Sequence, residues 1–363
     1  MRKQRYFYPT KKTTLAYRIF RIVTMILVTG GTGLVGSHLL YQLTSQNKQV
    51  RAIYRTSKSL DSVKKVFSYF TENIEDLFSK IDWIKADITD VPSLEKAFVN
   101  VDIVYHVAAL VSFDPKDYRK MRQINIDGTA NIVNYAISNN VKKLCFVSSI
   151  AAIGGSINKE VVTEENEWSI ESENNGYSIT KHGAEMEVWR ASQEGIDVII
   201  VNPGVILGAG FWNFNTGQLF SKVAKGFNYF TEGVTGFVGV TDVAKSMIDL
   251  VESDIKNEGF ILVSENRSFK EVFYEIAKNF EKKPPTVKVS KTITSFFRRI
   301  DAIISFISGK KRLITKDSAK SLHNRTHYSS EKIKKSIGFE FTPVKSVIKE
   351  VCISYKKDYL SSL

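Results

Sequence analysis

An α/β fold, a doubly wound parallel sheet with a smaller, mainly helical C-terminal lobe, is predicted by three observations on the 363-residue sequence. Six short apolar runs, MILVTG, QVRAIY, IDWIKA, DIVYHVAA, KLCFVSS and DVIIVNP, alternate with helix-like segments, as in a sheet whose strands are buried on both faces. The first run breaks into glycines three apart, Gly30, Gly33 and Gly36, and apolar residues resume at helical spacing through Leu34, Leu39, Leu40 and Leu43. After Pro203 the alternation weakens. The expected organisation is therefore an N-terminal extension over 1–24, a sheet domain over 25–203 to which later segments can return, and a second lobe over 204–363.

Residues 1–24 carry seven basic and no acidic residues, and Arg18 and Arg21 interrupt the apolar core that a secretory signal needs. They read as a disordered tail preceding a natural start at Met25, and an Arg-containing, acid-free start also suits a transit peptide. From Met25, a strand, a tight glycine turn and a helix start present backbone N–H groups and the positive helix end to a diphosphate. An ordinary turn with close helix packing uses glycines in the same way. The second strand ends in AIYRTSKS, without an acid. A carboxylate there bonds the ribose 2′-hydroxyl of NAD, whereas arginine matches a 2′-phosphate, so Arg55, with Ser57 and Lys58 nearby, favours NADP.

KLCFVSS ends in Ser148 and Ser149, and the later run NNGYSITKHGAEMEVW holds Tyr177 and Lys181 four residues apart. On a helix that pair shares one face. A phenol normally ionises near pKa ~10, and a neighbouring ammonium favours the phenolate enough for proton exchange with an alcohol or ketone oxygen. Solvated surface pairs have the same spacing. Beyond Pro203, a short strand FVGV precedes a helix in which Asp242 reads as an N-cap. The segment 292–314, TITSFFRRIDAIISFISGKKRLI, is amphipathic and basic; it suits either packing on the lobe or peripheral contact with a membrane.

The Gly-x-x-Gly-x-x-Gly spacing, VDIVYHVAALVSF, VSSIAAIG and YSITK together resemble the extended short-chain dehydrogenase/reductase family, within the NAD-dependent epimerase/dehydratase superfamily, from Met25 to about Asp242. The resemblance implies a Rossmann-type domain and a catalytic trio of Ser149, Tyr177 and Lys181. Ser149 is preferred to Ser148 because it lies five residues before Gly154, as the family's Ser-x-x-x-x-Gly pattern requires. Asn125, in QINIDGTANIV, matches an asparagine that the family places near its lysine through a water. Implied cofactor contacts are Gly30, Thr32, Gly33, Leu34, Val35, Gly36, Arg55, Asp87, Ile88, Ala108, Tyr177, Lys181 and Pro203; Asp87 equally suits capping the helix after Pro92. In the implied mechanism Tyr177 donates to a carbonyl oxygen, Ser149 holds that oxygen, and Lys181 lowers the phenol's pKa and grips the nicotinamide ribose.

Epimerases of the family follow the catalytic helix with an Arg-Tyr-Phe-Asn type motif, and this chain has DVIIVNPGVILGAG. It resembles instead the dihydroflavonol reductase and 3β-hydroxysteroid dehydrogenase-like branch, which acts on a ketone or secondary alcohol of an apolar skeleton. Phe113, Trp168, Phe211, Trp212 and Phe214 suit either such a pocket or the lobe's core. A nucleotide-sugar epimerase/dehydratase and a non-catalytic NADP-binding sensor are the alternative readings.

Composition agrees with an enzyme. A 43% hydrophobic content allows a sizeable core, and two cysteines, Cys145 and Cys352, imply no disulfide framework. No Cys/His cluster has metal-ligand spacing, so no metal is expected. Charge is uneven: 23 basic against 29 acidic residues over 25–269, and 21 against 9 over 270–363. The basic end suits an anionic substrate or surface or a solvated face. The expected partners are a small-molecule substrate, no nucleic acid, and a second copy of the chain in a homodimer, in the cytoplasm.

Overall fold

The computed structural model describes residues 24–155, 161–169, 175–295, 315, 319–320 and 322–359. The expected extension, apart from Thr24, and residues 296–314 of the amphipathic segment lie outside them. All six predicted strands form: β1 Met25–Thr29, β2 Gln49–Tyr54, β3 Ile81–Lys85, β4 Ile103–His106, β5 Lys143–Val147 and β6 Asp197–Pro203. With β10, Glu258–Leu262, they make a seven-stranded sheet in the order β10-β6-β5-β4-β1-β2-β3. Every neighbouring pair is parallel. The order reverses direction at β1, between β2 and β4, which opens a crevice at the strands' carboxyl ends.

Helices cover both faces because the strands are apolar on both. On one side lie α1 (Leu34–Ser45), α2 (Leu60–Phe67) and α9 (Val240–Glu252), whose Leu39, Leu40, Val63, Phe67, Val243 and Met247 pack on the sheet. On the other lie α4 (Val91–Phe98), α6 (Gly128–Ser138) and α7 (Gly176–Gln193), through Leu94, Phe98, Ile132, Ala184 and Val188. The short helices α3 (Ile74–Ser79) and α5 (Tyr118–Met121) complete this part, and α5 runs through a π-helical stretch, Arg122–Asp127, into α6. Cations end two helices. Lys143 Nζ donates to the carbonyls of Leu250, Val251 and Ser253 at the C-terminal end of α9, at 3.3, 3.0 and 2.7 Å. Arg51 Nη1 donates to the carbonyls of Ala97 and Val99 at the C-terminal end of α4, at 3.1 and 2.8 Å.

After Pro203 the chain leaves the sheet for β7 (Val205–Leu207), α8 (Gly217–Ala224), β8 (Tyr229–Phe230) and β9 (Val234–Gly239), and returns with α9 and β10. It leaves again for β11 (Glu265–Ser268), α10 (Phe269–Asn279), β12 (Val287–Lys288), α11 (Glu331–Ile337) and α12 (Val344–Tyr359). The lobe is thus more than helical, with a three-stranded β11-β9-β7 sheet and a β12-β8 pair beside its helices. Asp358 ties it to the sheet domain: its Oδ2 accepts from Tyr69 Oη at 2.5 Å and from Trp212 Nε1 at 2.7 Å. Lys65 Nζ lies 2.5 Å from Oδ1 as an ion pair outside hydrogen-bond geometry.

One expectation is corrected here, and one open alternative is decided. Asp242 is not the N-cap of α9, a position held by Gly239; its carboxylate accepts from Thr342 N and Oγ1, at 2.8 and 2.9 Å, anchoring the approach to α12. Trp212 is buried in the lobe, edge-on to Tyr355, and its indole N–H is engaged by Asp358, so it is core. The outer side of β10 is closed by side chains: Glu164 Oε1 accepts from Ile261 N at 2.7 Å, and Ser330 Oγ accepts from Val263 N at 2.8 Å. The segments carrying these two residues pair with each other at Val162 and Tyr328.

Candidate active site

The glycine turn stands on β1 and closes tightly on itself. Gly30 has φ +68°, a conformation that disfavours side chains, and a Cβ there would meet Ala108 N at 2.6 Å; a Cβ on Gly36 would meet Gly30 O at 2.2 Å. A Cβ on Gly33, the N-cap of α1, would come no nearer than 3.4 Å, to Gly30 O, so a ligand can approach the backbone. The N-cap has no side-chain hydrogen bond and the first turn no acid, which leaves the N–H groups around Thr32, Leu34 and Val35 suited to a diphosphate. These residues fit a dinucleotide.

The remaining predicted contacts line the same carboxyl edge. Arg55 follows β2, with 67% of its side chain exposed, and its Nη1 reaches only to 4.0 Å from Asp87 Oδ2. Asp87 follows β3, where its Oδ1 accepts from Thr89 N and Oγ1, at 2.9 and 2.8 Å. It makes a local turn and does not cap α4, whose N-cap is Asp90. Ile88 is buried against Gly128, Ala108 follows β4 and touches the glycine turn, and Pro203 ends β6.

Tyr177 and Lys181 lie in the first half of α7, which begins after the N-cap Asn175, whose Oδ1 accepts from Ser178 N at 2.8 Å. The Ser149 hydroxyl lies within hydrogen-bonding reach of the Tyr177 phenol. The Phe113 ring sits edge-on to Tyr177 with centroids 5.9 Å apart. Burial pushes the phenol's pKa up to about 12, against the opposing bond from Ser149. The expected depression by Lys181 is thus not met in this arrangement. Lys181, 1% exposed, donates from Nζ to Val147 O at 2.7 Å and lies 4.2 Å over the Phe146 ring. The phenol is held protonated, as a donor needs.

Asn125 lies in the π-helical stretch, buried. Its Oδ1 accepts from Leu110 N at 2.7 Å, and its Nδ2 donates to Leu110 O and Thr180 Oγ1, both at 3.0 Å. It joins the loop after β4 directly to the residue before Lys181. Sequence reasoning missed the network beneath it. Thr29 Oγ1 accepts from Val107 N and Ala108 N at 3.2 Å and lies 2.7 Å from His106 Nδ1. His106 Nε2 lies 2.9 Å from Thr129 Oγ1, which donates to Asn125 O at 2.5 Å. Only one proton arrangement satisfies every group: Thr29 donates to Nδ1, and a neutral imidazole donates from Nε2. Burial agrees, lowering the His106 pKa to about 3. Beside the site, Trp168 stacks on His182 at 4.4 Å, and His182 bonds the Ala152 backbone after Ser149.

A parallel sheet in this order, with a glycine turn at its switch point, is the frame of a nicotinamide dinucleotide-dependent oxidoreductase. A family model described as male sterility protein matches residues 28–255, and the chain belongs to that family, among the extended short-chain dehydrogenases/reductases. Cinnamoyl-CoA reductase 1 of Petunia hybrida is 26% identical over 343 residues, 92% of this chain and 92% of the relative. Anthocyanidin reductase of Arabidopsis thaliana is 29% identical over 273 residues, 68% of this chain and 77% of the relative. The fold is similar to that of the UDP-glucose 4-epimerase of Thermotoga maritima, solved with UDP-glucose, at TM-score 0.72 and 18% identity over 92% of this chain and 99% of the epimerase.

Proposed function

We propose that this protein is an NADPH-dependent reductase of a carbonyl group on an apolar, aromatic-bearing substrate, working through Ser149, Tyr177 and Lys181. The observation that carries the reading is the protonated Tyr177 phenol beside the Ser149 hydroxyl, with the half-exposed Phe113 ring against it. When bound, the nicotinamide supplies hydride to the carbonyl carbon. Tyr177 Oη gives its proton to the carbonyl oxygen as charge develops there, and the Ser149 hydroxyl donates to the same oxygen. Lys181, four residues on and buried, sets its amine beneath the site, suited to the nicotinamide ribose, with its pKa lowered by burial. Asn125 sets the height of the 110-loop over this cluster. The NADPH preference rests on the exposed Arg55, with no acid at the end of β2 to hold a 2′-hydroxyl.

Two similar proteins named cinnamoyl-CoA reductase and anthocyanidin reductase support a planar, aromatic substrate, and Phe113 offers an edge to such a ring. The test is a panel of cinnamoyl-CoA, a dihydroflavonol, a 3-ketosteroid and UDP-glucose, followed by NADPH and NADH absorbance. Oxidation of NADPH by either of the first two supports the reading, and turnover of the 3-ketosteroid alone keeps the carbonyl reductase and overturns the aromatic substrate. Conversion of UDP-glucose without net NADPH loss replaces it with an epimerase, and NADPH binding with no turnover replaces it with a sensor.

A further inference from the structure

Glu185 follows Lys181 by four residues and Tyr177 by eight, so the three lie along one stripe of α7. A carboxylate here, 8% exposed, needs a reason. Its Oε1 accepts from Asn202 Nδ2 at 2.6 Å, and the same Nδ2 donates to Ser149 O at 3.1 Å. Asn202 is itself buried at the end of β6. Ser148 Oγ is buried without a partner at hydrogen-bond geometry, yet lies near enough to Glu185 to favour its anion. One carboxylate thereby reaches the backbone of Ser149 through an amide and faces the Lys181 ammonium through space.

Burial drives the two ionisable groups toward neutrality, Lys181 downward and Glu185 upward, and their mutual attraction opposes both shifts. Among the described residues, the other titratable groups around Lys181 are Tyr177 on its own helix and His106 at the end of β4, both neutral at pH 7. Val147 O and the Phe146 face, from β5, are dipole and quadrupole contacts only. Glu185 is the counter-charge that this surrounding otherwise lacks. A buried ammonium without one is driven to lose its proton.

We propose that Glu185 is a positioning residue of the site: it is the buried counter-charge of Lys181 and, through Asn202, it fixes the Ser149 turn. The inference rests on the reading of Lys181 as the group that holds the cofactor. It is tested with Glu185→Gln, which keeps an acceptor for Asn202 and removes only the charge, together with Lys181→Met and the double variant. NADPH binding is followed by fluorescence titration from pH 6 to 9, and stability by thermal unfolding. With the counter-charge gone, Lys181 deprotonates at lower pH. NADPH affinity of E185Q therefore falls about tenfold at pH 8 and recovers at pH 6, while the unmodified protein varies less. The double variant unfolds at a higher temperature than E185Q, because it no longer buries an unpaired ammonium.

NADPH binding by E185Q equal to that of the unmodified protein across this range, with K181M impaired, overturns the inference alone. K181M binding NADPH normally overturns the reading of the site and this inference with it. If E185Q does not fold, the double variant decides: recovery of folding supports the counter-charge, and failure of both overturns it, since the defect then lies in packing.

Discussion

Tyr177→Phe removes one oxygen and keeps the ring that meets Phe113. Turnover of the panel substrate falls at least ~100-fold, the scale of a lost general acid, while NADPH titration is unchanged because the glycine turn and Lys181 are intact. An unaltered rate would assign the proton to another group. Arg55→Asp acts at the far end of the cofactor. It places a carboxylate where a 2′-phosphate would lie, so the ratio of NADPH to NADH affinity drops by at least about tenfold in calorimetry. Equal affinities in the unmodified protein would remove the basis for the NADPH preference.

At the scale of elements, Asp358→Ala tests how the lobe is held. The substitution strips the acceptor from Tyr69 Oη and Trp212 Nε1 together, and two stranded donors cost about 2–4 kcal/mol, read as a lowered midpoint in denaturant unfolding. An unchanged midpoint would mean that the helix docks by its apolar face. The parallel strands were legible because burial on both faces leaves continuous apolar runs. The Tyr177–Lys181 pair was legible because four-residue spacing is a property of one helix. What escaped depends on partners far along the chain. Asp242 looks like a cap until Thr342, 100 residues on, takes its carboxylate. Glu185 shares the spacing of Lys181, yet its meaning comes from Asn202 on a different element. The phenol's upward shift comes from burial among several segments, which outweighs the bond from Ser149.

For the whole molecule, a chain beginning at Met25 tests the extension. Met25 N donates to Asp102 Oδ2 at 3.1 Å, and a terminal ammonium there would face the same carboxylate. The melting temperature moves by no more than about 3 °C and NADPH affinity is kept; a larger fall shows that residues 1–24 support the fold. Acid acts on the whole domain through two buried histidines. Burial lowers His106 to about 3 and His38 to about 4, below the ordinary 6.5. The unfolded chain therefore binds more protons between these values. Their contribution is complete above pH 6.5 and is lost as pH falls toward 3, about 2 kcal/mol for each by pH 5. Chemical unfolding at pH 7 and pH 5 measures the difference, and equal stabilities would show that these rings titrate normally.

The closed side of β10 also bears on synthesis. Val263 finds its hydroxyl partner 67 residues later, in Ser330, whereas Glu164 precedes β10 and is ready to receive Ile261. On the ribosome the nascent chain can therefore dock β10 against β6 while one stretch of its outer side still lacks a cover. During translation of the residues between them, that stretch is a template for another chain's strand. Slow codons in this interval would lengthen the exposure, and the finished protein would carry no trace of it.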